Sequence, residues 1–498
     1  MTTEHVYVAC DLGAESGRVI VGRLKDGFLS LEEIHRFSNG PVKIGGSLRW
    51  DVIRIFEELK TGLQKIGERK IPAESISVDS WGVDYVYFNE RQPMLSLPYH
   101  YRDARTEKPY EAALKTVGEE RIFEETGIQF MSINTLYQFI ADVEHNGDLL
   151  AIADKFLNIA DYLNYLFSGV ARAEESLAST TQIYNPNRRD WSLALANDFK
   201  IPARIFPPVI PSGTSLGPLI SEIAADTGLE NVTVTATCSH DTGAAVAAVP
   251  AEGTDWAFLS CGTWSLIGVE LPSPLINDKA RELNFTNEVG YGGTVRFLKN
   301  IIGLWILQES KRTWSREGAD FSYAEIERLA AEAEPFRSLI NPNDARFLKP
   351  GGMPQKVEAF CEETGQPNPK TPGQFARCIY ESLAMLYART LCQIGQITGR
   401  SISRLHIVGG GSKGDLLNQL TAHATGVTVV AGPAEATACG NVLIQALALG
   451  HIKDLSALRE VVRTSSSIRE FLPGQGAEWT DAYTRFTALT LDTHEFVS

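Results

Sequence analysis

Two aspartates stand at points of the sequence where a carboxylate could take part in phosphate or proton chemistry. Asp11 follows the apolar run Val6–Cys10, and an oxygen ligand at a strand end suits a hard cation such as Mg²⁺. Asp241 precedes Thr242–Ala248, which predicts a helix. The positive end of a helix keeps a nearby carboxylate ionised, as a general base must be. Taken alone, both segments are more typical of local capping, by Asp11 in a turn and by Asp241 or Ser239 at the helix.

Two glycine-containing turns have the composition of phosphate-binding hairpins. Residues 11–18, DLGAESGR, separate the apolar runs Val6–Cys10 and Val19–Leu24. Backbone amides freed by glycine, together with the Ser16 hydroxyl, can hold phosphate oxygens. Residues 261–265, CGTWS, repeat this plan between two further apolar runs. An ordinary hairpin explains either turn by itself, but two such turns at one cleft would hold a nucleotide.

An aromatic residue, a glycine and two arginines are further candidates for ligand contact. Trp81 and Gly82 follow the predicted strand Ser75–Asp79, where a ring could stack on a sugar and glycine would let a polyol approach the backbone. A core tryptophan beside a bulge is the structural alternative. Arg102 and Arg105 fit a surface ion-pair network, or contact with a hydroxyl or phosphate. The sequence leaves these roles open.

The second half of the chain shows the elements that would position such groups. Leu405–Val408 predicts a strand, Gly409–Gly411 a loop, and Asp415–Thr425 a helix, an alternation typical of α/β proteins. The glycine spacing is not GxGxxG, so a loop near the adenine or ribose of ATP fits better than a dinucleotide site. Small residues in the helix predicted over Ala434–Leu449 indicate close approach by another helix or by a ligand.

Length and the repeated hairpin predict two domains. The 498 residues exceed the roughly 250–300 at which single cores stop growing. We place the domains at 1–248 and 249–498, each opening with a strand, a small-residue turn and a second strand. The repeat indicates a duplicated fold with a cleft between its halves.

Charge and cysteine content argue against several classes of protein. The net charge is −15 without a cluster of basic residues, whereas nucleic-acid binding needs a basic surface. The seven cysteines form no CxxC pair, so we expect no zinc site; Cys361 and Cys378 could meet as two thiols or as a disulfide. No basic leader and no apolar run near ~20 residues occurs, so we expect a cytoplasmic protein without membrane contacts.

Together these segments resemble the FGGY carbohydrate kinases. The similar stretches are collinear and extend over nearly the whole chain: DLGAESGR (11–18), EIHRFSNG (33–40), VDSWGVDYV (78–86), YRDART (101–106), SHDTGAAVAAVP (239–250), CGTWSLIGVE (261–270), LKNIIGLWILQ (298–308) and HIVGGGSKGDLLNQL (406–420). The resemblance implies an α/β fold of two ribonuclease-H-like, actin-like ATPase domains with the active site in the cleft between them.

The resemblance also implies roles for individual residues. Asp241 is similar to the family's proton acceptor, and Asp11 to the carboxylate near Mg²⁺. Sugar contacts are implied for Gly82, His240, Asp241, Thr242 and Asn300, and ATP contacts for Ala14, Glu15, Ser16, Gly17, Arg18, Thr263, Gln308 and Gly410. Glu15 departs from the small or hydroxylated residue usual at its position. A carboxylate there would repel ATP unless it points away or helps to hold Mg²⁺.

The expected reaction is ATP-dependent phosphorylation of a ketose. L-Rhamnulose is the first candidate, and L-fuculose or another deoxy-ketose is the alternative, since one methyl or hydroxyl changes binding by only ~1–3 kcal/mol. A rival of another class is an actin-like ATPase, which has no need of Asp241 or of the strand before Gly82. A catalytically silent sugar sensor is a third possibility, against which the intact Asp11 and Asp241 argue.

Overall fold

The computed structural model describes residues 3–474 and 476–490 of the chain. The chain forms two compact units. The first contains Met1–Pro250, Glu270–Phe297 and Ala436–Ser466, and the second contains Ala251–Val269, Leu298–Glu435 and Ser467–Ser498. Two domains of α/β type are therefore confirmed, whereas the domain boundary placed at residue 248 stays a prediction.

Strands occur throughout both units. They are β1 (His5–Leu12), β2 (Ser16–Lys25), β3 (Phe28–Ser38), β4 (Pro41–Ile44), β5 (Ser47–Trp50), β6 (Ser75–Asp79), β7 (Tyr85–Phe88), β8 (Lys155–Asn158), β9 (Ala173–Glu174), β10 (Tyr184–Asn185), β11 (Asp190–Trp191), β12 (Val209–Ile210), β13 (Thr214–Pro218), β14 (Thr233–Ala236), β15 (Trp256–Cys261), β16 (Trp264–Leu271), β17 (Thr286–Val289), β18 (Val295–Ile302), β19 (Arg404–Val408), β20 (Thr428–Ala431) and β21 (Arg469–Phe471).

Helices alternate with these strands. They are α1 (Val52–Glu68), α2 (Glu107–Thr116), α3 (Glu119–Thr126), α4 (Thr135–His145), α5 (Gly147–Ile152), α6 (Ile159–Ser168), α7 (Glu175–Ala178), α8 (Leu193–Asp198), α9 (Ser221–Thr227), α10 (Asp241–Ala247), α11 (Asp278–Glu282), α12 (Trp305–Arg316), α13 (Tyr323–Glu332), α14 (Met353–Glu363), α15 (Pro372–Thr398), α16 (Asp415–Thr425), α17 (Ala436–Ala448), α18 (Leu455–Ser465) and α19 (Ala477–Thr490). Among the described residues, none of these helices combines the length and apolar composition that a bilayer span requires.

The first unit is built on a six-stranded sheet with the order β13-β14-β6-β1-β2-β3. Strand β1 pairs antiparallel with β2 and parallel with β6. Alternate residues of β1 face opposite sides of the sheet, as the period of a strand requires. Val6, Val8 and Cys10 belong to the core that contains α1, whereas Tyr7 and Ala9 belong to the core that contains α17. The strand is therefore buried on both faces.

The second unit repeats this plan. Its strands follow the order β18-β16-β15-β19-β20-β21, in which β15 pairs antiparallel with β16 and parallel with β19. The first five correspond in order and direction to β3, β2, β1, β6 and β14, as far as their pairings are described. The duplication predicted from the repeated hairpin is therefore present in the strand order.

Three local expectations have clear outcomes. Residues 205–218 are rich in proline, which predicts a surface loop. They end in strand β13, which pairs with β14 through a register shift, so this prediction is wrong in part, because a bulged edge strand tolerates proline and glycine. An added Cβ at Gly440 of α17 would lie 1.9 Å from the Ala244 carbonyl oxygen, so the close neighbour of this helix is another helix, α10. Cys361 and Cys378 are buried free thiols.

Candidate active site

Three carboxylates of the first unit gather at the carboxyl edge of its sheet. Asp11 and Asp79 are register partners on the parallel strands β1 and β6. A bridge between Ser80 and His240 continues this pairing, and the Asp241 N–H donates to the Ser80 carbonyl at 2.9 Å. These backbone contacts bring Asp241 to the same edge. Sequence analysis identified Asp11 and Asp241 but missed Asp79.

Asp79 is fully buried, and one of its oxygens is unsatisfied. Oδ2 accepts a hydrogen bond from Asn441 Nδ2 at 2.6 Å, whereas Oδ1 has no hydrogen-bond partner within the described residues. Burial, followed by the charge of Asp11, raises the pKa of the Asp79 carboxyl well above its usual range. Asp11 accepts a hydrogen bond from Arg18, its partner across the hairpin. The edge therefore concentrates negative charge that one arginine only partly offsets.

Asp241 is the first residue of α10, and about a third of its side chain, 31%, is exposed. Its Oδ1 accepts hydrogen bonds from the Thr242 N–H at 2.5 Å and from the Thr242 hydroxyl at 3.1 Å. Loss of water contact, with a smaller effect of Asp11, raises the pKa of the Asp241 carboxyl, while His240 and Thr242 oppose the shift. His240 occupies the N-cap position without a side-chain capping bond, so Asp241 satisfies one amide of the helix and remains open to solvent.

His240 lies between Asp241 and a buried ion pair. Its Nε2 is 3.4 Å from Asp241 Oδ1, and its Nδ1 is 3.2 Å from Nη2 of the fully buried Arg296. Arg296 also lies 3.1 Å from Glu288 and donates to the Val289 carbonyl at 3.0 Å. A guanidinium only donates, so Nδ1 accepts from Arg296 in the neutral ring, whose proton then lies on Nε2, toward Asp241. Glu288 Oε2 also lies 3.4 Å from Nδ1. His240 is thus oriented by a group that the sequence motifs did not indicate.

A buried glutamate holds the segment that leads into Asp241. Glu174 is fully buried, and its Oε2 accepts hydrogen bonds from the Ser239 N–H at 3.0 Å and the Ser176 hydroxyl at 2.5 Å. The Ser176 oxygen in turn accepts from the His240 N–H at 3.2 Å, and the Ser212 hydroxyl donates to Oε1. Glu174 therefore fixes the backbone of the two residues before Asp241. A glutamate in an unremarkable sequence segment gives no signal of this role.

Trp81 is a core residue, and the backbone that follows it has no room for a side chain at Gly82. Its ring packs on Trp50 with centroids 4.1 Å apart, and its Nε1 donates to Asp84 at 3.0 Å, so the core alternative describes it better than sugar stacking. An added Cβ at Gly82 would lie 2.8 Å from Thr180 Oγ1. Val83 has a φ of 69°, a strained conformation for a β-branched residue. Packing against Thr180 therefore accounts for the glycine, and the sugar contact of Gly82 stays a prediction.

The first hairpin uses its glycines differently from the prediction. The Gly13 N–H donates to the Ser16 carbonyl at 2.8 Å, so it closes the turn instead of facing outward. An added Cβ at Gly17 would lie 2.2 Å from the Phe37 ring, so this glycine is needed for packing. Glu15 is exposed at the turn, between Ala14 and Ser16, and its carbonyl accepts from the Asn39 N–H at 2.9 Å.

The second unit places four predicted contact residues around its own hairpin and the loop after β19. Thr263 lies in the turn between β15 and β16, and its carbonyl accepts from the Gly303 N–H at 3.1 Å. Asn300 lies near the end of β18. Gln308 lies on α12, and its buried Oε1 has no hydrogen-bond partner in the described part of the chain. Gly410 is exposed, with open space where a Cβ would stand.

In the glycine loop, the neighbours of Gly410 are the positions that require glycine, whereas Gly410 itself does not. Gly409 has a φ of 82°, a conformation that favours glycine. An added Cβ at Gly411 would lie 2.2 Å from the Cys261 sulfur. The loop is therefore packed closely on the end of β15, and Gly410 is the position at which a ligand could approach its backbone.

The two arginines of residues 101–106 lie in different surroundings. Arg105 donates to the buried Asp142 at 2.5 Å and lies over the Tyr99 ring, with its Cζ 3.7 Å from the centroid. Its pKa is raised by nearby Tyr85 and Asp142, against the effect of burial. Arg105 is therefore part of a buried network, so the surface network, one of the alternatives that the sequence left open, does not describe it. Arg102 is half-buried beside the Tyr101 ring.

Comparisons with known proteins agree with this architecture. Residues 6–248 match the N-terminal domain of the FGGY family of carbohydrate kinases, and residues 257–449 match its C-terminal domain. The chain is 41% identical over 480 residues to a protein of Bacteroides thetaiotaomicron named rhamnulokinase, covering 96% of this chain and 98% of that protein. A Bacillus subtilis protein of the same name is 41% identical over 468 residues, covering 94% and 95%.

Solved structures are similar in fold at low sequence identity. A ligand-bound xylulose kinase from Lactobacillus acidophilus has a TM-score of 0.81 at 16% identity, covering 98% of this chain and 97% of that chain. A Plasmodium falciparum glycerol kinase with ADP has a TM-score of 0.78 at 14% identity, covering 98% and 99%. At this identity the similarity shows the fold alone.

The chain belongs to the FGGY family of carbohydrate kinases. It is a phosphotransferase enzyme that uses ATP, with a sugar as acceptor, and the predictions of fold class, family and kinase activity are confirmed. The full-length similarity does not support the rival actin-like ATPase. The roles of individual residues stay predictions and enter the proposal below.

Proposed function

We propose that this enzyme transfers the γ-phosphoryl group of ATP to O1 of L-rhamnulose, with Asp241 as the general base. The similarity to rhamnulokinases over nearly the full length supports the choice of sugar. The observation that carries the proposed mechanism is the placement of Asp241, exposed at one side and next to two further carboxylates. The expected products are ADP and L-rhamnulose 1-phosphate.

The proposed step moves one proton and one phosphoryl group. Asp241 accepts the proton of the O1 hydroxyl as that oxygen forms a bond to the γ-phosphorus, and the bond from phosphorus to the bridging oxygen breaks to release ADP. His240 and Thr242 adjoin the base, and we assign them to the sugar together with Gly82 and Asn300. The Nε2 proton of His240 is available to a sugar oxygen or to the carboxylate.

The raised pKa of Asp241 gives the pH dependence a definite sign. The base must be deprotonated to accept a proton, so kcat/KM falls as the pH drops through its pKa. Because burial and Asp11 raise that pKa, the acid limb lies at a higher pH than an ordinary aspartate would give.

The acidic edge has the donor set of a Mg²⁺ site. Asp79 supplies a buried oxygen without a partner in the described residues. Burial, followed by the charge of Asp11, raises its pKa, a cost that a divalent cation would relieve. We therefore assign Asp11 and Asp79 to hold Mg²⁺, directly or through water. When bound, the ion would neutralise charge on the phosphate groups of ATP.

We assign the nucleotide to the two hairpins and their neighbours. These residues are Ala14, Glu15, Ser16, Gly17 and Arg18 in the first unit and Thr263, Gln308 and Gly410 in the second. The unsatisfied amide oxygen of Gln308 and the open approach to Gly410 support the assignment. We keep 1–248 and 249–498 as the proposed limits of the sugar and nucleotide domains.

A panel of ketoses assayed for ADP release tests the proposal. We expect the highest kcat/KM with L-rhamnulose, a lower value with L-fuculose, and phosphate on O1 of the product in a phosphorus NMR spectrum. A higher kcat/KM with L-fuculose would contradict the choice of sugar. Release of ADP at the same rate without any sugar would contradict the kinase mechanism itself.

A further inference from the structure

The amino edge of the first unit's sheet carries side chains that phosphoryl transfer does not use. His5 opens β1, Glu74 directly precedes β6, and His451 follows α17. One ligand atom of each of these three residues lies within 4.8 Å of the others. Strands β1 and β6 run parallel, so this group lies at the edge opposite to Asp11 and Asp79.

We propose that His5, Glu74 and His451 bind a transition-metal cation of the Zn²⁺ type, with water completing its coordination. Two imidazoles and one carboxylate form a donor set that zinc accepts in open sites. His5 Nδ1 is 3.0 Å from Glu74 Oε1, and His451 Nε2 is 3.8 Å from Glu74 Oε2. Tetrahedral zinc with bonds near 2.0–2.1 Å spaces its ligand atoms about 3.3 Å apart, between these two distances. The site is independent of the proposed sugar phosphorylation.

A buried tyrosine orients one of the ligands. The hydroxyl of Tyr7, whose side chain is fully buried, lies 2.7 Å from His451 Nδ1. With Nδ1 engaged by this hydroxyl, Nε2 is the nitrogen that faces Glu74. A hydrogen bond to the second nitrogen is the usual means by which proteins fix a metal-binding histidine.

The backbone fixes the three positions independently of the side chains. The Glu74 N–H donates to the Val6 carbonyl at 2.8 Å, and the Glu74 carbonyl accepts from the Thr233 N–H at 3.0 Å. The His451 N–H donates to the Ala446 carbonyl at 2.8 Å and closes the end of α17. The ligands therefore come from three elements of the unit that are already held together, so little backbone order has to be gained on binding.

The side chains need only a small adjustment to share one cation. The two imidazoles stack with centroids 3.6 Å apart and an interplanar angle of 19°, so rotation about the bond to each ring must direct both nitrogens at one point. The exposed fractions of His5, Glu74 and His451 are 25%, 37% and 20%, which leaves access for a hydrated ion. The absence of a CxxC pair predicted no zinc site, but these three ligands are not cysteines and lie far apart in the chain.

Calorimetric titration of the full-length enzyme with Zn²⁺ tests the proposal. The protein is first treated with a chelator, and excess Mg²⁺ is present so that sites built only from oxygen ligands are occupied. We expect one Zn²⁺ per chain, with affinity at least ~10-fold weaker in His451→Ala and in His5→Asn. His145→Ala is the matched control, because that histidine is 71% exposed and lies 3.7 Å from Glu144, away from the three ligands; it should bind like wild type.

A second measurement separates loss of the site from loss of the fold. Zn²⁺ should raise the melting temperature of wild type and of His145→Ala, because a ligand of the native state stabilises it, and at the same Zn²⁺ concentration it should raise that of His5→Asn by clearly less. Tyr7→Phe should bind Zn²⁺ about 10-fold more weakly while retaining all three ligands. Absence of Zn²⁺ binding by wild type would overturn the proposal, as would wild-type affinity in a His5→Asn/His451→Ala double variant that remains folded.

Discussion

The two units share a strand order but differ in the residues at the carboxyl ends of their central strands. The two hairpin turns begin at Gly13 and Gly262. Counting two residues back from each glycine, Asp11 of β1 corresponds to Ser260 of β15. The register partner of Asp11 is Asp79, whereas the partner of Ser260 is Val408. One edge therefore carries a pair of carboxylates, and the equivalent edge carries a hydroxyl and an aliphatic side chain. The same backbone frame thus presents an acidic end in one unit and an uncharged end in the other.

This difference favours different tasks for the two halves of the duplicated fold. An acidic edge suits a cation and a general base, because both need negative charge. An uncharged edge with a close-packed glycine loop can accept the anionic nucleotide without repulsion, through backbone amides and hydroxyls. The strand order is the same in both units, so under the proposed function the residues at the strand ends, rather than the fold, would decide which task each unit performs.

Replacement of the base should have the largest effect. Asp241→Asn keeps the side chain's shape and its bonds to Thr242, but removes the group that accepts the proton. We expect kcat to fall by about 10²–10⁴-fold, the range typical of general-base catalysis, in a steady-state assay of ADP release. Asp226→Asn, at an exposed position of α9, is the control and should retain wild-type kcat. A fall of less than tenfold in Asp241→Asn would refute the base assignment.

Asp79→Asn tests whether the acidic pair holds Mg²⁺. The variant is isosteric and removes one charge of the pair, so the Mg²⁺ concentration for half-maximal rate should rise by ~10-fold or more, by analogy with other changes at metal sites. The positional counterpart, Ser260→Ala in the second unit, should leave that concentration unchanged. Equal Mg²⁺ dependence of the two variants would remove the functional distinction between the edges.

Glu174→Gln tests whether the buried carboxylate of Glu174 is needed to position Asp241. The amide replaces an acceptor that bonds Ser239 and Ser176, so Asp241 should be misplaced and kcat should fall ~10-fold, with KM for ATP unchanged. Glu175→Gln is the matched control, because Glu175 is also buried but bonds Arg189 at 2.7 Å. It should lower the melting temperature without lowering kcat. If both variants lose kcat in proportion to stability, Glu174 has only a structural role.

Thr263→Val, a change at the uncharged edge, should have the smallest effect, which is a weaker affinity for ATP. Loss of one hydroxyl contact to a phosphate oxygen weakens ATP binding by roughly 2–10-fold, equivalent to ~0.5–1.5 kcal/mol, with kcat nearly unchanged. Thr254→Val, in the exposed turn before β15, should bind ATP like wild type. Nucleotide titration by calorimetry distinguishes the two. Unchanged affinity in Thr263→Val would remove Thr263 from the nucleotide contacts.

Periodicity and turn residues predicted the local elements well. The strand Ser75–Asp79 and the helix Asp415–Thr425 occur with the predicted bounds, because apolar spacing and flanking glycines are local signals. The two hairpins were likewise visible in the sequence. The motif resemblance supplied the family, which is confirmed, and the proposed role of Asp241, whose segment alone favoured a cap.

Features that depend on register or on distant partners could not be predicted. Asp79 becomes important only through its pairing with Asp11, and Glu174 only through its bond to the residue two before Asp241. From the sequence alone, Trp81 could equally be a core residue or a ring on which a sugar stacks. Its packing on Trp50 shows that it is a core residue. Such tertiary contacts have no counterpart in local sequence pattern.

The most direct test of the division between the two edges is the affinity of Asp241→Asn for a non-hydrolysable ATP analogue with Mg²⁺, measured by calorimetry. If the acidic edge supplies the base and the nucleotide is held by other groups, this variant should bind the analogue within about twofold of wild type while its turnover is lost. A loss of nucleotide affinity that matches the loss of turnover would contradict the account.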